Sequence, residues 1–198
     1  MEKNGTNNIQ KIKSQPFGAA KELSEWLHEI ALCICCLTLV FVFLIRLVSV
    51  SGSSMYPTLN NGDKVLLISN FIDSNYNQGD IVVLQQTDYK DDPLIKRVIA
   101  TEGQTVDIDF QSGEVTVDGI VLYEIYINEL THNAGDQTYP LVVPENCVFV
   151  MGDNRNASAD SRYSQIGTID IRQITGRVLL VVFPFKNFGT PEMGCWSR

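Results

Sequence analysis

Three short stretches of this 198-residue chain carry side chains able to do hydrolytic chemistry. The first is Val50-Ser51-Gly52-Ser53-Ser54-Met55-Tyr56-Pro57-Thr58-Leu59. Pro57 restricts φ and removes an amide donor, which suits a stiff turn presenting one hydroxyl. Ser54 on such a turn reads as a nucleophile, although clusters of Ser and Gly are also ordinary linkers. A serine hydroxyl attacks poorly until a neighbour takes its proton. Of the two histidines, His28 lies before a long apolar run and His132 in a polar, turn-like loop, where a solvated role suits it. Lysine is the other base available, and it works only when desolvation has brought it to the neutral form.

The second stretch, Pro93-Leu94-Ile95-Lys96-Arg97-Val98-Ile99-Ala100, places a lysine inside an apolar strand pattern. Alternation puts Leu94, Lys96 and Val98 on one face and Ile95, Arg97 and Ile99 on the other. Lys64 opens a strand, Lys90 sits in an acidic loop and Lys186 lies near the C-terminus, which leaves Lys96 as the candidate base. The plainer alternative is an edge-strand lysine that guards against aggregation. The third stretch, Met151-Gly152-Asp153-Asn154-Arg155-Asn156-Ala157-Ser158-Ala159-Asp160-Ser161-Arg162, directly follows an apolar strand. Its small, amide and alternating charged residues suit a dense hydrogen-bond network or an ordinary polar loop. It lacks the ligand spacing of a calcium loop.

The elements that must position these groups follow from the hydropathy pattern. Residues 30–45 carry no charge, and beyond Arg46 the apolar stretch continues to Val50. At about 1.5 Å per residue this run reaches roughly 31 Å, near the thickness of a bilayer core. Ser49-Val50-Ser51 has the small-x-small form of a secretory cleavage site, but the preceding segment and the run are both too long for a signal peptide. The expectation is a polar tail over residues 1–24, a transmembrane anchor over 25–50, and an extracytoplasmic domain over 51–198. Lys3, Lys11, Lys13 and Lys21 precede the span, and only Arg46 and Lys64 follow it closely, so the N-terminus is expected on the cytoplasmic side. Past Val50 the chain reads as strands, at 64–69, 80–85, 94–100, 104–110, 114–117, 120–122, 147–151 and 177–183, with Gly-containing turns between them. The expected fold class is mainly β, an antiparallel sandwich or folded sheet behind one N-terminal helix.

Composition removes other classes. The net charge is −8, and residues 51–198 carry ten basic and nineteen acidic side chains. That domain lacks the basic face nucleic acid needs. Cys33, Cys35 and Cys36 lie in the apolar run, and only Cys147 and Cys195 remain to pair. No Cys or His spacing matches a metal site, and no Gly-rich phosphate loop is present, so neither metal nor cofactor is expected.

In this order behind a single anchor, the three stretches resemble type I signal peptidases, and the short domain resembles the Gram-positive bacterial form. Ser54-Met55-Tyr56-Pro57-Thr58 resembles the box of the nucleophile. Gly79-Asp80-Ile81-Val82-Val83 resembles a structural box, Lys96-Arg97-Val98-Ile99 the box of the lysine base, and Gly152-Asp153-Asn154-Arg155 with Ser158, Asp160, Ser161 and Arg162 the last box. The resemblance implies a membrane-bound serine endopeptidase that removes signal peptides from exported preproteins outside the membrane. It implies Ser54 as nucleophile, Lys96 as general base, and Ser158 hydrogen-bonded to the lysine. It also implies an Asp160–Arg162 ion pair, Met55 and Ile95 lining shallow pockets for small substrate residues, and a strand from Pro93 to Ile95 pairing with the substrate. The bilayer, touched near Tyr56 and Leu59, and the preproteins are the implied partners. Gly52 stands where some relatives carry a serine that completes the oxyanion hole, and Asn156-Ala157 replaces the more usual Asp-Asn. A self-cleaving repressor-type protease shares the Ser/Lys logic but has no anchor. A peptide-binding β-domain that does not cleave is the remaining alternative.

Overall fold

The computed structural model describes residues 17–85, 92–191 and 196–197. Helix α1 spans Phe17–Phe43. Its segment Lys21–Phe43 has a mean hydropathy of 2.2 and no buried share, so it is long and apolar enough to cross a membrane. Its one polar group in the apolar stretch is satisfied within the helix: the Thr38 hydroxyl donates to the Ile34 carbonyl at 2.8 Å. The helix starts earlier than the tail assignment for residues 1–24 implied, because Ala, Lys, Glu and Leu in its first turns are good helix formers.

The helix also stops earlier than the apolar run. Ile45–Ser49 forms strand β1 and pairs antiparallel with β2 (Lys64–Ser69), from Ile45 opposite Ile68 to Ser49 opposite Lys64. Hydropathy could not separate the two, since Ile, Leu and Val serve a span and a strand alike. Val50 is buried beyond β1, its N–H donating to Asp63 and its carbonyl accepting from Gly62. Ser49-Val50-Ser51 is therefore built into the sheet, and excision there would strip away its edge strand.

The remaining strands are β3 (Ile81–Leu84), β4 (Leu94–Thr101), β5 (Thr105–Asp109), β6 (Glu114–Val117), β7 (Ile120–Tyr123), β8 (Leu141–Val142), β9 (Cys147–Met151), β10 (Ile169–Asp170), β11 (Ile174–Phe183) and β12 (Trp196–Ser197). They form two antiparallel sheets, one in the order β1-β2-β11-β3-β4-β9-β10 and one in the order β12-β7-β6-β5-β8. Among the described residues after β1, helix is confined to three single 3₁₀ turns. The short strands β8 and β10 escaped the sequence reading, since two residues carry no period.

Strand β4 is the frame of the molecule. It lies between β3 and β9, and it contributes to all three apolar clusters. Ile95 packs with Val65, Leu67, Ile81 and Val83. Ile99 and Ala100 join Phe149 and Met151 of β9 to Val106, Ile108 and Val115 of the second sheet. Val98 packs with Val82, Leu84 and Val150. Burying six consecutive β4 residues, Ile95 to Ala100, includes burying Lys96 and Arg97, and each of those charges needs a partner.

Candidate active site

Ser54 sits on a turn nailed down at both ends. Met55 and Leu59 are buried, and Leu59 N–H closes the turn on the Met55 carbonyl at 2.8 Å. Gly52 takes φ +91°, a left-handed conformation that glycine adopts without penalty, and its N–H donates to Asn61 Oδ1 at 3.0 Å. The Ser54 carbonyl accepts from Asn154 N–H at 3.0 Å, and the Ser53 carbonyl from the Asn154 side chain at 3.1 Å. The Ser54 turn and the third stretch are thus joined through Asn154.

Lys96 Nζ lies 2.7 Å from Ser54 Oγ. Strand pairing aims it: Lys96 lies opposite Val82 of β3, and alternation sends its side chain to the face of Leu94 and Val98. The lysine is 3 % exposed. Burial brings its ammonium down to a pKa of about 8, against the opposing pull of the Asp160 and Asp153 carboxylates and with a smaller push from Arg162. A 2.7 Å contact to a hydroxyl and a depressed pKa are what a lysine base requires.

Three buried ion pairs hold the surroundings. Asp160 accepts from Arg162 Nε at 2.8 Å and Nη2 at 2.9 Å, and its second oxygen also takes the Gly152 N–H at 3.0 Å. Desolvation works against the charged Asp160, but the Arg162 guanidinium and the Gly152 amide hold its carboxyl below the ordinary range. Arg162 also donates to the carbonyls of Asn133 and Arg155. Arg97, pointing to the opposite face of β4 from Lys96, forks Asp153 at 2.9 and 2.7 Å and donates to the Gly79 carbonyl at 2.9 Å. The Tyr126 ring lies 3.8 Å from its guanidinium carbon. Arg155 forks Glu124, which follows β7 of the second sheet, and donates to Thr131 and to the Gly152 carbonyl. Gly152 itself admits no side chain, since a methyl there would run into Ser158 and the Ser54 carbonyl.

Ser54, Lys96, Asp160 and Arg162 are therefore brought together. Ser158 differs from the expectation of a bond to the lysine: it is buried beside Gly152, and among the described residues its hydroxyl has no hydrogen-bond partner. Met55 and Ile95 are both buried in the apolar cluster of Val50, Leu59 and Ile81. Leu59, expected near lipid, is fully buried in the same cluster, whereas Tyr56 is exposed. Pro93 is exposed at the open end of β4. His132 is exposed, its Nδ1 3.1 Å from the Phe110 carbonyl. Cys147 is half-buried as a free thiol, while Cys195 and Lys90 lie outside the described residues.

The sequence reading placed Arg97 and Thr58 in the boxes without a role, and missed Glu124 and Tyr126 as parts of this assembly. Arg97 carried a usable signal, since a charge in the middle of an apolar strand requires a buried counter-charge. Glu124 and Tyr126 carried none, because only the packing of the second sheet brings them to the site. A cavity of about 450 Å³ lined by Tyr76, Thr101, Glu102 and Cys147 includes neither Ser54 nor Lys96. Ser54 and Lys96 stand instead at the open side of β4: β9 pairs with that strand only from Arg97 onward, leaving residues 94–96 without a β9 partner.

The family model described as "Signal peptidase, peptidase S26" matches residues 23–183. The chain belongs to the signal peptidase family. It is 33 % identical over 184 residues to signal peptidase IB of Staphylococcus aureus, covering 85 % of this chain and 93 % of that protein. It is 32 % identical over 189 residues to signal peptidase I S of Bacillus subtilis, covering 88 % of this chain and 97 % of that one. A signal peptidase I crystal structure from Enterococcus faecalis is 28 % identical, with a TM-score of 0.44, and covers 52 % of this chain and 96 % of its own. The signal-peptidase match includes the helix from residue 23 as well as strands β1 to β11.

Proposed function

We propose that this membrane-anchored peptidase removes signal peptides from exported preproteins with Ser54 as nucleophile and Lys96 as general base. The observation that carries the reading is the 2.7 Å contact between Ser54 Oγ and a buried lysine. Neutral Lys96 accepts the Ser54 proton as Oγ attacks the carbonyl carbon of the cleaved bond. The resulting ammonium returns that proton to the departing amine. The Ser54 N–H supports the developing oxyanion: among the described residues it has no acceptor of its own. Asp160 and Arg162 act as positioning residues through the Ser158 segment and Gly152. The preprotein lies extended along residues 94–96, with Pro93 at its entry, where β4 offers unpaired backbone. The catalytic domain faces the outside and the N-terminus the cytoplasm, as the lysines before the span favour.

The test is cleavage of a signal-peptide-bearing precursor by the full-length protein in lipid vesicles. Wild type is expected to cut after a small-x-small site, and Ser54→Ala to lose that activity. Equal cleavage by Ser54→Ala would sink the assignment.

A pH dependence follows from the lysine. Because Lys96 acts in its neutral form, kcat/KM should rise with pH and level off above a midpoint near 8. A profile already flat from pH 5 to 9 excludes a lysine with that midpoint as the base.

A further inference from the structure

A cavity of about 250 Å³ opens beside the nucleophile turn, lined by Pro57, Thr58, Ile125 and Tyr126. Pro57 and Thr58 belong to the turn that carries Ser54, which Leu59 closes. Ile125 and Tyr126 come from the second sheet, just past β7. The far wall is rigid. Tyr126 is buried, its ring lies against Arg97, and its hydroxyl donates to Glu124 at 2.8 Å. The Thr58 hydroxyl is committed to Asp153. Arg97 pairs with Asp153 and Arg155 with Glu124, so the charges behind the wall satisfy one another. Ile125, by contrast, is 54 % exposed at the rim. The space is below the roughly 300–1,000 Å³ of drug-sized sites and suits one side chain.

The register of β4 says what reaches it. A peptide extended along residues 94–96 occupies the lane that β9 fills from Arg97 opposite Met151. Past Lys96 that lane is closed by Met151 of β9, which pairs with Arg97. The substrate chain must therefore leave the sheet at the cleaved bond, on the side of the nucleophile turn. We propose that the cavity between Pro57–Thr58 and Ile125–Tyr126 receives an apolar side chain from the first two residues of the mature protein, so that this enzyme reads sequence after the bond as well as before it. This subsite rests on the reading of Ser54 and Lys96 as the cleaving dyad.

The experiment uses full-length enzyme in vesicles and precursors that differ only at the first or the second residue after the bond, Leu against Asp. Wild type should favour Leu at one of those positions by about fivefold or more in kcat/KM. Ile125→Asp should abolish that preference while leaving discrimination at the residue before the bond unchanged, and Ile125→Ala should fall between. Ile125 is exposed, so neither variant threatens the core. An equal Leu/Asp ratio in wild type and Ile125→Asp, or no preference at either position, overturns the subsite while the dyad stands. Wild type that cuts none of the precursors overturns the dyad reading, and the subsite with it.

Discussion

Lys96→Met should lower precursor cleavage by at least about 10²- to 10⁴-fold, the range a positioned general base supplies, and should leave the protein no less stable at neutral pH. The two halves of this expectation have one cause. Lys96 is buried 2.7 Å from Ser54, and burial has brought its pKa from 10.5 to about 8. Between pH 8 and about 10.4 the unfolded chain therefore holds more protons on this lysine than the folded one, so stability rises with pH through that window. Below pH 8 both states are protonated and the full cost of burying the ammonium is present, about 3 kcal/mol. Methionine fills similar space without charge and removes that cost. Activity and thermal unfolding of both proteins at pH 7 check the claim. Activity within tenfold of wild type would place the base elsewhere. A large drop in Tm would mean that the lysine serves Asp160 and Asp153 as a structural counter-ion.

Asp160→Ala is expected to damage the fold. Arg162 is fully buried and forks Asp160, which also takes the Gly152 amide. Removing the carboxylate leaves a buried guanidinium without its counter-ion, a loss of about 3–5 kcal/mol. For a domain of this size that lowers Tm by roughly 6–20 °C. The remaining activity should also show an acid limb moved to lower pH, because Asp160 is the larger of the two carboxylate fields that hold Lys96 protonated. Asp160→Ala combined with Arg162→Met should recover part of the lost stability, since the second change removes the stranded charge. A single mutant melting within 2 °C of wild type would mean that Arg162 is satisfied by the Asn133, Arg155 and Ser158 carbonyls.

The sequence by itself determined the kind of protein this is and pointed to the serine and the lysine proposed here as its dyad. An uncharged run, strand-length apolar segments with Gly turns, a Ser–Pro turn and a lysine inside an apolar strand are all local patterns, and local patterns survive in one dimension. It could not find where helix gives way to strand, because the residues of β1 suit lipid and sheet equally; only the pairing of Ile45–Ser49 with β2 decided that. Nor could it say that Met55, Leu59 and Ile95 face the core. A turn and a strand edge each offer two sides, and the packing of Val50, Ile81 and Val178 chose between them. The ion pairs Arg97–Asp153 and Arg155–Glu124 join residues 56 and 31 positions apart in the chain. Such partners are selected by burial in three dimensions, where every stranded charge is costly and the nearest counter-charge is set by sheet order rather than by sequence distance.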